Sequence, residues 1–135
     1  VGTHTQGVEP KNLFEAPGLG IEALLSRHGL SPKDVDLYEI NDAFAAQVLS
    51  ILAMLEDEGF ARAELDQDAA VGSVDIDKLN VHGGSVALGH PFAATGSRMV
   101  NTVAHELHRS GKQTALLGIC AAGGLGAAAV LERVD

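Results

Sequence analysis

Apolar positions change period along the chain, and the changes divide it into alternating strands and helices. Val1 to Val8 alternates weakly with Thr and His before Glu9-Pro10, which predicts a short strand leading into a loop. After Pro17-Gly18, the residues Ile21, Leu24, Leu25 and Leu30 share one helical face, and Gly29 with Ser31-Pro32 marks the exit. Val35 to Ile40 forms a second apolar run that leads straight into Asn41-Asp42, residue types suited to capping the next helix. Phe44, Val48, Ile51, Leu52 and Leu55 then recur at helical spacing up to Gly59.

The middle of the chain loses this regularity. Positions 56–77 carry eight acidic residues and one Arg with no sustained period, the pattern of a solvated surface loop or frayed helix. Val81-His82-Gly83-Gly84-Ser85-Val86-Ala87-Leu88-Gly89-His90-Pro91 is too glycine-rich for a regular element and too apolar for a solvent loop, so it is expected to be buried. A helix is expected from Gly96 to Gly111 with Met99, Val100, Val103, Ala104 and Leu107 turned inward. Thr114–Ile119 and Ala127–Leu131 read as adjacent strands joined by the glycine-rich corner Cys120 to Gly126, too close together for a crossover helix and therefore antiparallel. The sum is an α/β fold, a layered mixed β-sheet covered by helices, within a single domain spanning residues 1–135.

Composition narrows the function. A hydrophobic fraction of 46% over 135 residues suits one folded core. No apolar run approaches the roughly 20 residues of a membrane helix, and no signal peptide is visible at the start, so a cytoplasmic setting is expected. The net charge of -9, from 18 acidic and 9 basic residues, repels a phosphate backbone and argues against nucleic acid as a partner. With so few cations, any phosphorylated ligand would need another chain or domain for much of its grip. The chain begins at Val1 in place of Met, which is the expectation for a fragment or processed product.

Three turns at strand ends hold the residues with chemical potential: Asn41, His90 and Cys120. Brought together at the ends of strands, they would provide an amide donor, a base and a thiol, a set suited to thioester chemistry. Taken singly, each has a structural reading: Asn41 as a helix cap, His90 as a histidine satisfied beneath a turn, Cys120 as packing. Gly124-Leu125-Gly126 lacks the following helix and strand of a dinucleotide site, because only nine residues remain after Gly126. There is no phosphate-binding Gly-Lys-Ser/Thr loop. His105-Glu106-Leu107-His108 lacks the spacing of a zinc-protease helix, sits near a solvated helix end, and is assigned no metal.

Read together and in order, these turns resemble the thiolase family. Asn41-Asp42-Ala43-Phe44-Ala45 is similar to its Asn-Glu-Ala-Phe-Ala turn, residues 80–91 to its Gly-Gly-(small)-Gly-His-Pro loop, and Cys120-Ala121-Ala122-Gly123-Gly124-Leu125-Gly126 to its Cys-x-Gly-Gly-Gly-x-Gly hairpin. The resemblance runs from about Val1 to Val134 and corresponds to the C-terminal part of a thiolase. It implies thiolytic cleavage of a 3-ketoacyl-CoA or the reverse Claisen condensation. His90 would activate a nucleophilic cysteine and donate to the thioester oxygen, and Asn41 would hold a water completing that oxyanion hole. Cys120 would move the α-proton. Backbone N-H groups of Ala122, Gly123 and Gly124 would form a second oxyanion hole, with Gly89, Pro91 and Phe92 lining the substrate. Acyl-CoA and CoA are the implied ligands, CoA serving as substrate with no metal and no redox cofactor. An N-terminal thiolase half, in cis or in trans, and a homo-oligomeric assembly are the implied partners.

The departures from the family pattern bear on function. Asp42 replaces the common Glu, and Ala122 stands where many members have Gly, which requires the backbone there to avoid positive φ. Cys-Ala-Ala-Gly-Gly and Gly-His-Pro-Phe-Ala-Ala-Thr-Gly are closest to the thiolase subunits of fatty-acid β-oxidation complexes, although many of those have His at the position of Asn41. The family's nucleophilic cysteine belongs to its N-terminal half, and Cys120 is the one cysteine in this chain, so the chain alone is expected to be inactive. A ketoacyl-synthase-like condensing enzyme and a non-catalytic acyl-CoA-binding, lipid-binding or partner-stabilising module are the alternatives.

Overall fold

The computed structural model describes residues 1–134. Strand β1 (Gly2–Gly7) is followed by helix α1 (Ala16–His28), β2 (Leu37–Ile40), α2 (Ala45–Glu56), α3 (Glu58–Glu64), α4 (Ser85–Leu88), α5 (Thr95–Ser110), β3 (Thr114–Ala121) and β4 (Leu125–Glu132). The strands form one mixed sheet in the order β1-β4-β3-β2, with β2 parallel to β3 and the other two pairs antiparallel. The expected mixed α/β architecture is present.

Period-two alternation along the central strands sends side chains into two layers. Tyr38, Ile40 and Leu116 meet Ile21 and Leu25 of α1 and Val48, Ile51 and Leu55 of α2 on one face. Leu37, Ala115 and Leu117 meet Met99, Val103 and Leu107 of α5 on the other. Tyr38 is fully buried and its hydroxyl donates to Pro32 O at 2.9 Å, which satisfies the one polar atom it takes into the core. The second face is covered unevenly: Thr3 and Thr5 of β1 and Ala127 of β4 are exposed.

Helix α1 starts with Pro17 inside its first turn, where a missing N-H costs nothing, and ends at Gly29 in the left-handed region with φ 64°. The Leu30 N-H returns to Leu25 O at 2.9 Å and closes that end.

Several expectations need correction. Asn41 and Asp42 do not cap α2, whose N-cap is Phe44, without a side-chain bond; both are drawn into contacts described below. The acidic stretch contains α3, because Asp57 Oδ1 accepts from Gly59 N at 2.6 Å and Phe60 N at 3.1 Å. Val74 from the same stretch is buried against the first core layer. Val100 and Ala104 of α5 face outward, and Glu106 takes a buried position in their stead. The segment 81–91 is largely exposed and includes the single turn α4, its backbone N-H groups satisfied by a carboxylate instead of by burial. Among the described residues, no helix is long and apolar enough to cross a membrane.

Candidate active site

The ends of the parallel pair β2 and β3 carry the site. Ile40 lies opposite Gly118, and the Asn41 N-H continues the ladder to Gly118 O at 2.8 Å. Asn41 therefore leaves β2 at the level where β3 presents Cys120, two residues further on. The Asn41 Nδ2 amide donates to Cys120 Sγ at 3.3 Å, with Asn41 almost wholly buried and Cys120 half-buried.

Four side chains not singled out from the sequence complete this centre. The Cys120 thiol donates to Gln47 Oε1 at 3.7 Å, and Gln47 Nε2 donates to Asn41 O at 3.1 Å. The thiol thus faces one amide donor and one amide acceptor. Ser85 Oγ donates to Asn41 Oδ1 at 2.7 Å and receives Arg98 Nη2 at 3.3 Å. Arg98 Nη1 pairs with the buried Glu39 Oε1 at 3.2 Å. Burial pushes the Glu39 carboxyl up and the Arg98 guanidinium opposes that shift.

Gln47 had a detectable signal, since it precedes Ile51 and Leu55 at four-residue intervals and so occupies the apolar stripe of α2. Glu39, flanked by Tyr38 and Ile40 in a fully buried strand, had one too. Nothing local marks Ser85 or Arg98.

Asp42 serves the loop across from it. Its carboxylate accepts from the N-H groups of Ser85 and Val86, holding the first turn of α4. A Cβ on Gly84 would meet the Asp42 carboxylate, so a larger residue there would have to displace the side chain that holds α4. Asn80 fastens the same segment to β2 through Ile40 N at 2.8 Å and Ile40 O at 2.9 Å.

His90 is anchored separately. Its Nδ1 contacts Thr95 Oγ1 at 2.7 Å, and its ring meets Phe92 edge-on with centroids 5.1 Å apart. No hydrogen bond joins it to Asn41 or Cys120 among the described residues. Gly89 and Pro91 are exposed, and Phe92 is 84% exposed. In the β3-β4 turn, Ala122 keeps a negative φ while Gly123 and Gly124 take φ values of 89° and 82°. The substitution at 122 thus falls where an alanine is free of strain. Ala122 and Gly123 are exposed, and Gly124 is buried with its carbonyl accepting from Val8 N at 2.8 Å.

Glu106 of α5 is buried, contrary to the solvated position expected for it, and is occupied by Arg109 Nε at 2.7 Å, Arg109 Nη2 at 2.8 Å and His82 Nε2 at 2.7 Å. No group of three metal-ligating side chains occurs among the described residues.

A mixed sheet that presents a buried amide to a thiol at the ends of parallel strands defines an α/β domain with helices on both faces and a thiol at its strand ends. The chain belongs to the thiolase family: the family model described as "Thiolase, C-terminal domain" matches residues 1–133. It is 48% identical over 122 residues to proteins named 3-ketoacyl-CoA thiolase from Erwinia tasmaniensis and Escherichia coli, covering 90% of this chain and 28% of theirs. Human mitochondrial 3-ketoacyl-CoA thiolase superposes with a TM-score of 0.78, and Bacillus anthracis acetyl-CoA acetyltransferase with 0.79. Each is 37% identical, and each match covers 99% of this chain and 30% of the other. The human enzyme has also been solved in complex with CoA, with a TM-score of 0.79. The chain spans less than a third of the length of these relatives.

Proposed function

We propose that this chain supplies the acid/base thiol and one oxyanion-binding side of a thiolase acting on 3-ketoacyl-CoA, and that the acyl-accepting cysteine comes from an N-terminal half in cis or in trans. The contact between Asn41 Nδ2 and Cys120 Sγ carries the reading, because an N-H aimed at sulfur favours a thiol that must pass through its thiolate.

In the cleavage direction, His90 takes the proton of the partner half's cysteine, whose thiolate attacks the 3-keto carbon. N-H groups of the Ala122-Gly123-Gly124 turn hold the resulting oxyanion, and His90 donates to the thioester oxygen that becomes the enolate oxygen. The bond between C2 and C3 breaks, leaving the acyl group on the attacking sulfur. The departing acetyl-CoA enolate takes its proton from the Cys120 thiol. CoA then attacks the acyl-enzyme, its thiol proton passing to the Cys120 thiolate. The same turn holds the oxyanion again, and its collapse breaks the acyl-cysteine bond, releasing acyl-CoA and the partner half's cysteine, which takes back its proton from His90. Condensation is the same sequence reversed. The sequence of steps needs no metal or redox cofactor.

Acyl-CoA and CoA are the ligands in this reading, and Gly89, Pro91 and Phe92 form part of the substrate wall. The exposed Phe44, Val86, Leu88 and Phe92 support a further protein surface packing against this side. The reading includes a cytoplasmic setting and a homo-oligomeric assembly.

The test joins this chain to the N-terminal part of a 3-ketoacyl-CoA thiolase and follows CoA-dependent loss of 3-ketoacyl-CoA absorbance. Activity is expected, with Cys120→Ser and His90→Ala each lowering kcat by about 10²- to 10⁴-fold. An inactive complete enzyme, or rates untouched by both substitutions, would overturn the proposal.

A further inference from the structure

The side chains behind Asn41 form a chain of hydrogen bonds with a defined direction. A guanidinium has donors and no acceptor, so the Arg98 Nη2 contact at 3.3 Å occupies a lone pair of Ser85 Oγ. The single Ser85 hydroxyl proton is left for Asn41 Oδ1, 2.7 Å away. An amide whose oxygen faces Ser85 must present its nitrogen on the opposite side, where Cys120 Sγ lies at 3.3 Å. Turned by half a rotation, the amide would set its oxygen against the sulfur and its N-H₂ against a hydroxyl already receiving Arg98.

We infer that Arg98 and Ser85 are positioning residues that fix the orientation of the Asn41 amide, and through it favour the thiolate of Cys120. Glu39 holds the guanidinium in place from β2 at 3.2 Å, with Glu39 itself only 3% exposed. Among the described residues, Arg98 Nε is buried without a hydrogen bond and the guanidinium bonds through its terminal nitrogens to Glu39 and Ser85. The side chains bonded directly to Cys120 are the neutral amides of Asn41 and Gln47. The charges that reach it through the network are Arg98 from α5 and Glu39 from β2, with Asp42 entering at the Ser85 N-H. The use of this device in catalysis rests on the thiolase reading, whereas its geometry does not.

Cys120 is the one cysteine in the sequence, so alkylation by iodoacetamide reports on it directly, without substrate or partner half. Alkylation rates are to be measured across pH for this chain and for Ser85→Ala, Arg98→Met and Arg98→Lys. Ser85→Ala and Arg98→Met are expected to slow the reaction at neutral pH about three- to tenfold, the scale of one lost hydrogen bond, with the rate recovering at high pH. Arg98→Lys, which keeps a donor, should lie between them and the parent chain. A merely structural role would change thermal stability and leave the pH profile in place. Should Arg98→Met fail to fold, Ser85→Ala decides the matter, because it removes one oxygen and spares both the Glu39 pair and the backbone bond to Asp42. A Ser85→Ala profile that superimposes on that of the parent chain would overturn the inference. Such a result beside an active complete enzyme would leave the thiolase reading standing, and a shifted profile beside an inactive enzyme would do the converse.

Discussion

His90 and Thr95 are bonded through Nδ1 and Oγ1 at 2.7 Å, while the Thr95 hydroxyl donates to Pro91 O at 3.1 Å. Thr95 thus holds the Nδ1 edge of the imidazole, which leaves Nε2 as the nitrogen that faces away from this support. Thr95 is buried at the first turn of α5, which makes this a rigid support. Thr95→Val keeps the branched shape and removes the hydroxyl. It is expected to lower kcat of the complete enzyme roughly 10- to 100-fold through a misplaced base, while thermal unfolding changes little. Thr95→Ser restores the rate, and steady-state kinetics of the pair will show it.

Asp42 and α4 provide a second test. Replacing Asp42 with Ala removes the acceptor of the Ser85 and Val86 N-H groups. A loss of about 1 kcal/mol is expected from the cap itself, and backbone hydrogen exchange at Ser85 and Val86 should accelerate selectively. Asp42→Asn, which keeps one acceptor oxygen, should show a smaller effect on both.

The β3-β4 hairpin abuts the start of α1 so closely that a Cβ at Gly126 would lie 2.6 Å from the Ala16 carbonyl carbon and 2.8 Å from Pro17 N. Backbone atoms cannot swing aside as a flexible side chain can. Gly126→Ala should therefore destabilise the chain by roughly 1–3 kcal/mol, measured by urea unfolding.

Acid stability should depend on Glu106. Hydrogen bonds from Arg109 and then from His82 hold its carboxyl down at about 2, against an ordinary value of 4.5. A depressed carboxyl stabilises the fold while it is ionised, so its contribution is complete above pH 4.5 and is lost as pH falls toward 2. Glu106→Gln should be less stable than the parent chain near neutrality, and the two unfolding curves should converge in strong acid. Because Arg109 is largely exposed, added salt should narrow the difference.

How far these features can be read from the residues differs from one element to the next. The order of strands and helices follows from apolar period, and the antiparallel β3-β4 pair from the short gap between its runs. Outward Val100 and Ala104 do not, because a helical stripe tells which residues share a face and not how much of that face a neighbouring sheet will cover. The nearness of Asn41 and Cys120, 79 positions apart, followed from family motifs and from no local property of either residue. Ser85 and Arg98 carry no local mark, since their partners are set by where a loop and a helix dock. Gln47 and Glu39 were open to detection as polar residues on apolar faces.

The Asn41 N-H bond to Gly118 O places the amide and the thiol on one hydrogen-bonded ladder, with the spacing between them set by main-chain geometry. Core side chains can therefore drift in size and identity over evolutionary time without pulling the pair apart. An inserted or deleted residue between Leu37 and Asn41, or between Gly118 and Cys120, would instead turn one partner to the opposite side of the sheet. The site is thus tolerant of substitution and intolerant of changes in length along these two strands.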